Sequence, residues 1–194
     1  MHIPNHQSTQ SIPTEASKVF EGVIFDVYQW QQTMYDGTTQ TFEKLARSND
    51  SSVVAITGEL QFILQKETQS GKNGWFWSLP AGCIEKNENP LDGAKRELLE
   101  ESGYISDSWR FWQSHQRNSK IESTDYYFVA NNCEWSCNQD LDSGEKIEVV
   151  LCDFEEFIKI VRSEQFRDSY LKIMVLEAIV NNTLKDLKNY FLGE

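Results

Sequence analysis

Hydrophobic and polar positions alternate in short runs over most of the chain, and turn residues break the runs. Residues 19–30 (VFEGVIFDVYQW) are rich in aromatic and β-branched side chains and predict a strand. Asp36-Gly37 is a hairpin signal, and residues 39–47 (TQTFEKLAR) supply the returning strand. Residues 52–57 and 60–66 flank Gly58-Glu59 and predict a second hairpin. Residues 75–79 (WFWSL) make a short strand stopped by Pro80. The period then lengthens. Residues 90–102 predict a helix, with Pro90 in the first turn and Gly103 just past the end. Strands follow at 109–113 and 125–130, a loop at 131–144, and a strand at 147–152. Asp153 is the N-cap of a short helix over 154–162. Leu171, Met174, Val175, Ala178 and Ile179 have amphipathic spacing and predict one helix over 167–192. Strands dominate and helices punctuate them, which is an α+β pattern.

With 194 residues, the chain accommodates one domain over 19–194, preceded by a polar flexible tail over 1–18 that lacks the apolar core of a signal peptide. The formal charge of −12 argues against nucleic acid as a partner. It leaves room for a small anionic substrate if a metal ion reverses the local sign. No apolar run approaches the ~18 residues of a membrane span. Cys83, Cys133, Cys137 and Cys152 lack the spacing of a zinc site and are expected to be reduced thiols of a cytoplasmic protein.

The informative segment is residues 79–104, LPAGCIEKNENPLDGAKRELLEESGY. On a helix Glu97, Glu100 and Glu101 stand at i, i+3 and i+4 and share a face. Arg96 and Glu100 are four apart and can pair. Leu91, Ala94 and Leu98 form an apolar stripe that can anchor the helix on a sheet. At ~5 Å and an effective dielectric near ~20, each pair of those carboxylates repels by about 3 kcal/mol. One arginine cannot neutralise three acids. Either the face is fully solvated, as many Glu-rich helices are, or it holds a cation. Oxygen-only ligands favour a hard ion such as Mg²⁺, which bridges to substrate phosphates.

The segment resembles the Nudix box, G-x5-E-x7-R-E-U-x-E-E-x-G-U, with U a bulky apolar residue. Gly82, Glu88, Arg96, Glu97, Leu98, Glu100, Glu101 and Gly103 fill its positions, and Tyr104 takes the last apolar slot. The resemblance implies a Nudix-type α/β/α sandwich with a mixed sheet, the box occupying residues 82–104. It implies Mg²⁺, with Mn²⁺ as substitute, held by Glu97, Glu100, Glu101 and the carbonyl of Ala81. Gly82, Glu88 and Gly103 would shape the loop and helix. Glu100 and Arg96 join the catalytic set, Arg96 chiefly bracing by pairing within the box. The chemistry is attack of water on phosphorus, with a carboxylate taking the proton. Glu145, in the DSGEKIEV segment at 142–149, resembles the downstream base of ADP-ribose pyrophosphatases; a surface glutamate before a strand is the plainer reading, and Glu101, Glu122 and Asp125 stay open as bases.

The Leu79-Pro80-Ala81-Gly82 lead-in, an N-terminal antiparallel hairpin over 19–50 and the GEKIEV segment resemble the ADP-ribose pyrophosphatase branch. That implies a substrate such as ADP-ribose or another nucleotide-sugar, and a homodimer formed through the hairpin. Two departures concern the substrate. The Gln-x-Arg usual on the strand before the box is absent, leaving Lys66 to supply charge without the planar fork of arginine. No proline follows Pro90. Trp77, in the Trp75-Phe76-Trp77 cluster, can stack on a nucleobase or pack in the core. His115 reads as structural or exposed. A non-catalytic metabolite sensor and a hydrolase of nucleoside triphosphates or isoprenoid diphosphates are the alternatives; the complete set of box acids argues for an enzyme.

Overall fold

The computed structural model describes Ile3 and residues 11–193. Val53, Val54, Ala55 and Ile56 are all buried, and successive side chains on a strand point to opposite faces, so the sheet must be covered on both sides. Val53 and Ala55 join a cluster with Ala94 and Leu98 of helix α1 (Pro90–Ser102). Val54 and Ile56 join a second cluster with Phe157 of α2 (Phe154–Val161), Leu171 and Val175 of α3 (Ser169–Val180) and Phe191 of α4 (Leu184–Leu192). The result is the α/β/α sandwich, with α1 alone on one face.

Eleven strands form the sheet among the described residues: β1 (Ser17–Glu21), β2 (Asp26–Thr33), β3 (Thr39–Ala46), β4 (Asp50–Thr57), β5 (Phe62–Gln69), β6 (Phe76–Ser78), β7 (Ala81–Cys83), β8 (Tyr104–Ile105), β9 (Ser108–Asn118), β10 (Ile121–Trp135) and β11 (Glu145–Cys152). The main path runs β1-β2-β3-β10-β4-β5-β11. Strand β10 is parallel to β3 and β4 and antiparallel to β9, so the sheet is mixed. Strands β2 and β3 pair antiparallel from Thr33↔Thr39 to Asp26↔Ala46, with Asp36 accepting from the Thr38 amide in the turn.

Four expectations change. The single strand over 19–30 is two antiparallel strands, because the chain reverses at Gly22, where a Cβ would strike the Phe25 carbonyl. That reversal also takes Ser17 and Lys18 into β1, where Lys18 pairs with Asp26 at 2.7 Å; half of the tail expected over 1–18 lies outside the described residues. The strands at 109–113 and 125–130 run much further, and the first five residues of the expected loop at 131–144 belong to β10. Polar residues such as His115 and Arg117 hid the extension because they face a cleft. Finally, the expected helix over 167–192 is two helices. Asn181 and Asn182 break it, Asn182 taking a left-handed φ of 58°.

Candidate active site

Helix α1 is fixed by its own sequence. Asn89 caps it, accepting from Leu91 N at 2.9 Å, and Gly103 ends it at φ 77° while donating to Leu99 O. The buried Ala94 and Leu98 press it on the sheet, with Leu91 packed against the same cluster. Glu97, Glu100 and Glu101 then enter a cleft of about 910 Å³.

The three acids are handled differently. Glu101 is buried and held by the Ala81 amide at 2.8 Å and the Gln65 side-chain amide at 3.1 Å. Burial pushes its carboxyl up to about 8, with Glu97 and Glu145 adding repulsion. Burial also raises the Glu97 carboxyl, against the pull of Arg96. Arg96 donates to Glu97 at 2.7 Å, to Glu100 at 3.0 Å and to both oxygens of Glu88, and it reaches the Cys83 carbonyl at 2.9 Å. It therefore ties the loop to the helix but does not reach Glu101. Glu88 receives the Glu85 amide and is held below its ordinary range by Arg96.

Gly82 is required by space, because any Cβ there would run into the Glu97 carboxylate. Gly103 has a second task beyond ending the helix. Its carbonyl accepts from Ser136 N, and a Cβ on it would strike the Cys137 carbonyl. Asp140 N donates to Glu100 O at 2.8 Å, so the loop before β11 is docked on the end of α1. That docking brings Glu145 to the cleft from the far edge strand. Burial raises the Glu145 carboxyl, and Glu67 and Asp142 raise it further.

Glu67 was missed in the sequence. It is buried on β5, accepting from Ser78 Oγ at 3.1 Å and Gln69 Nε2 at 2.6 Å. The period-2 alternation of Gln65, Glu67 and Gln69 was the available signal. The same alternation turns Lys66 away from the cleft, where its ammonium sits over the Trp75 ring at 4.8 Å. Trp77 is likewise outside the cleft lining; its ring packs on the core and its edge meets Trp75. Neither residue is brought to the site expected for it.

The other end of the cleft is mixed in charge. Arg117 pairs with Asp50 and, at 2.8 Å, with Asp125; Arg47 reaches Asp50 at 2.7 Å. Burial pushes the Asp125 carboxyl up to about 6 despite Arg117. The rings of His115 and Tyr170 stack 4.0 Å apart at 12°. Glu122 pairs with the buried Lys44 instead of lining the cleft.

Among the described residues, no three acidic, histidine or cysteine side chains stand close enough to hold an ion as placed, Arg96 filling the gap between Glu97 and Glu100. All four cysteines are free. No helix is long and apolar enough to cross a membrane.

Known proteins resemble this chain in sequence and fold. The NUDIX domain family matches residues 47–172. The chain is 27% identical over 157 residues to an ADP-ribose pyrophosphatase of Bacillus subtilis (strain 168), covering 78% of this chain and 83% of that protein. It is 24% identical over 178 residues to a methanol dehydrogenase activator of Bacillus methanolicus, covering 91% and 95%. The fold is similar to the crystal structure of an ADP compounds hydrolase, with a TM-score of 0.69 at 16% identity over 90% of this chain and 98% of the other. With the family's domain matched across most of its length and every fixed position of the box filled, the chain belongs to the Nudix hydrolase family.

Proposed function

We propose that the protein hydrolyses the diphosphate of a nucleoside diphosphate joined to a sugar or similar group, with ADP-ribose or a related nucleotide-sugar as substrate. The observation that carries this is the meeting of Glu97, Glu101 and Glu145 in one cleft whose opposite end is roomy, polar and aromatic. The ADP-ribose pyrophosphatase relative supports the choice of substrate.

Nudix hydrolases generally use divalent metal ions. The donor chemistry here fits Mg²⁺ or Mn²⁺: the cleft offers carboxylates, desolvation has raised Glu97 and Glu101 on α1, and Arg96 covers only part of the charge there. Glu97, Glu100, Glu101 and the Ala81 carbonyl would hold the ion once Glu97 turns from Arg96. Bound there, it would stabilise charge on the diphosphate and lower the pKa of water. Glu145 takes the proton of the attacking water, and burial, which raises its carboxyl, strengthens it as a base. Arg96 keeps Glu88 and the loop in place. Asp125, already engaged by Arg117, acts in binding instead. The exposed Val19, Phe20, Val23 and Ile24 of the N-terminal hairpin support burial against a second copy, giving a homodimer. Free thiols support a reducing compartment, the cytoplasm.

The test is a magnesium-dependent hydrolysis screen with ADP-ribose, NADH, GDP-mannose, diadenosine polyphosphates and nucleoside triphosphates. ADP-ribose should give AMP and ribose phosphate. Faster release from triphosphates than from every sugar nucleotide would reverse the substrate assignment. Glu145→Gln should lower turnover by about a hundredfold or more while metal binding persists; near-normal turnover removes Glu145 from the mechanism.

A further inference from the structure

Four arginines line the cleft, and three are engaged by its carboxylates. Arg96 is shared among Glu88, Glu97 and Glu100, Arg47 is held by Asp50, and Arg117 by Asp50 and Asp125. Arg167 is different. Among the described residues, no carboxylate forms an ion pair with it, although the cleft is crowded with acids. Its side chain is exposed, but the segment that carries it is tied down. Its amide donates to Trp77 O at 2.9 Å, and Trp77 N donates to Gln165 O at 2.9 Å. Phe166 between them is buried, and Asp168 caps α3 immediately afterwards. The guanidinium lies over the Phe76 ring at 5.1 Å. Backbone and side chain are thus both propped, and the charge is felt at Glu145.

We propose that Arg167 is a positioning residue that grips the non-bridging oxygens of the substrate's diphosphate from the α2–α3 side of the cleft. This rests on the diphosphate reading above. A guanidinium offers a planar fork that meets two phosphate oxygens at once, and stacking on Phe76 pre-orients it. It supplies the arginine that β5 lacks, from a segment far along the chain. The Trp77 backbone is what anchors it, which gives Trp77 a part in the site without ring stacking.

The experiment is calorimetric binding of methylenediphosphonate, which cannot be hydrolysed, to the full chain in magnesium, with wild type, Arg167→Ala, Arg167→Lys and Arg167→Met. Affinity should fall by about tenfold or more in Arg167→Ala and Arg167→Met, with partial recovery in Arg167→Lys, which keeps charge but not the fork. Manganese affinity without the analogue should be unchanged, and on a hydrolysed substrate KM should rise more than kcat falls. Wild type that does not bind the analogue overturns the proposal. So does Arg167→Ala binding within about twofold of wild type, or Arg167→Met losing manganese affinity and melting temperature together. A wild type that binds the analogue but cleaves no ADP compound strikes the substrate reading alone, and the clamp is still decided by the variants.

Discussion

Both ends of the cleft carry acids, and they treat them in opposite ways. At the mixed end Asp50 has Arg47 and Arg117, and Asp125 has Arg117, while Asp168 is spent on capping α3. At the α1 end the buried Glu101 has only two neutral N–H donors, and Arg96 stops at Glu97 and Glu100. A buried carboxylate without a cation is costly and protonates instead. The α1 end is therefore built for a positive guest, and the mixed end is already complete for holding a neutral or weakly charged group. The division predicts that damage at the α1 end appears in kcat and damage at the mixed end in KM.

The largest effect is expected at Glu101. Glu101→Gln should lower kcat by about a thousandfold and weaken metal binding, because it removes the carboxylate proposed above as a metal ligand. The same variant has a stability signature of known sign. The Glu101 carboxyl is raised to about 8 in the folded protein from 4.5. Its contribution to metal-free stability is fully present below 4.5, falls as pH rises, and is lost through pH 8, at up to ~1.4 kcal/mol per pH unit. Melting curves of metal-free wild type and Glu101→Gln should therefore separate as pH rises from 5 to about 9, the variant becoming the more stable. Added magnesium should close the gap in wild type. Parallel curves would show that Glu101 is already charged, and the contrast between the two ends would collapse.

Gly82→Ala tests the same end without touching an acid. The added methyl occupies the place of the Glu97 carboxylate, which must swing away. Turnover should drop by tens of fold, roughly 2 kcal/mol of transition-state stabilisation, with a smaller change in melting temperature. Wild-type kcat would mean that Glu97 does not need its present position.

Much of the α1 end could be read from the chain because it is local. Asn89, Pro90 and Gly103 bound the helix, and Glu97, Glu100 and Glu101 are close in space because they are close in sequence. The sandwich was expected only through the resemblance of the box; the structure supplies its physical reason, the doubly buried run in β4 that demands cover on two faces. The mixed end was not legible. Arg47, Asp50, Arg117, Asp125 and Tyr170 are assembled by β10 pairing with β4 on one side and β9 on the other, and no spacing rule encodes that. Polar residues on β9 looked like the end of a strand because their partner surface is a cleft. Lys66 and Trp77 were misplaced by one step of strand alternation, which sends neighbours to opposite faces.

At the mixed end, Arg117→Met should raise KM by about tenfold while kcat changes little. It leaves Asp50 with Arg47 but strips Asp125 of its cation. The Asp125 carboxyl, already up at about 6, should rise further, so the KM defect should be worst above neutrality, where that carboxylate is forced to ionise alone. A defect that appears in kcat at every pH would move Arg117 to the reacting end.

The smallest effect is expected at Tyr170, and it sharpens the comparison most finely. Its ring stacks on His115 and leans on Tyr127. The stack gives the mixed end its flat wall, so Tyr170→Ala should raise KM for ADP-ribose by about three- to tenfold, the usual worth of one aromatic face. Tyr170→Phe should be close to wild type, since no hydrogen bond of its hydroxyl enters the case. Methylenediphosphonate carries no base or sugar, so its affinity should be the same in Tyr170→Ala and wild type. Equal losses for ADP-ribose and for the bare diphosphonate would mean that the ring merely supports Arg167 three residues away, and the wall would belong to the phosphate end after all.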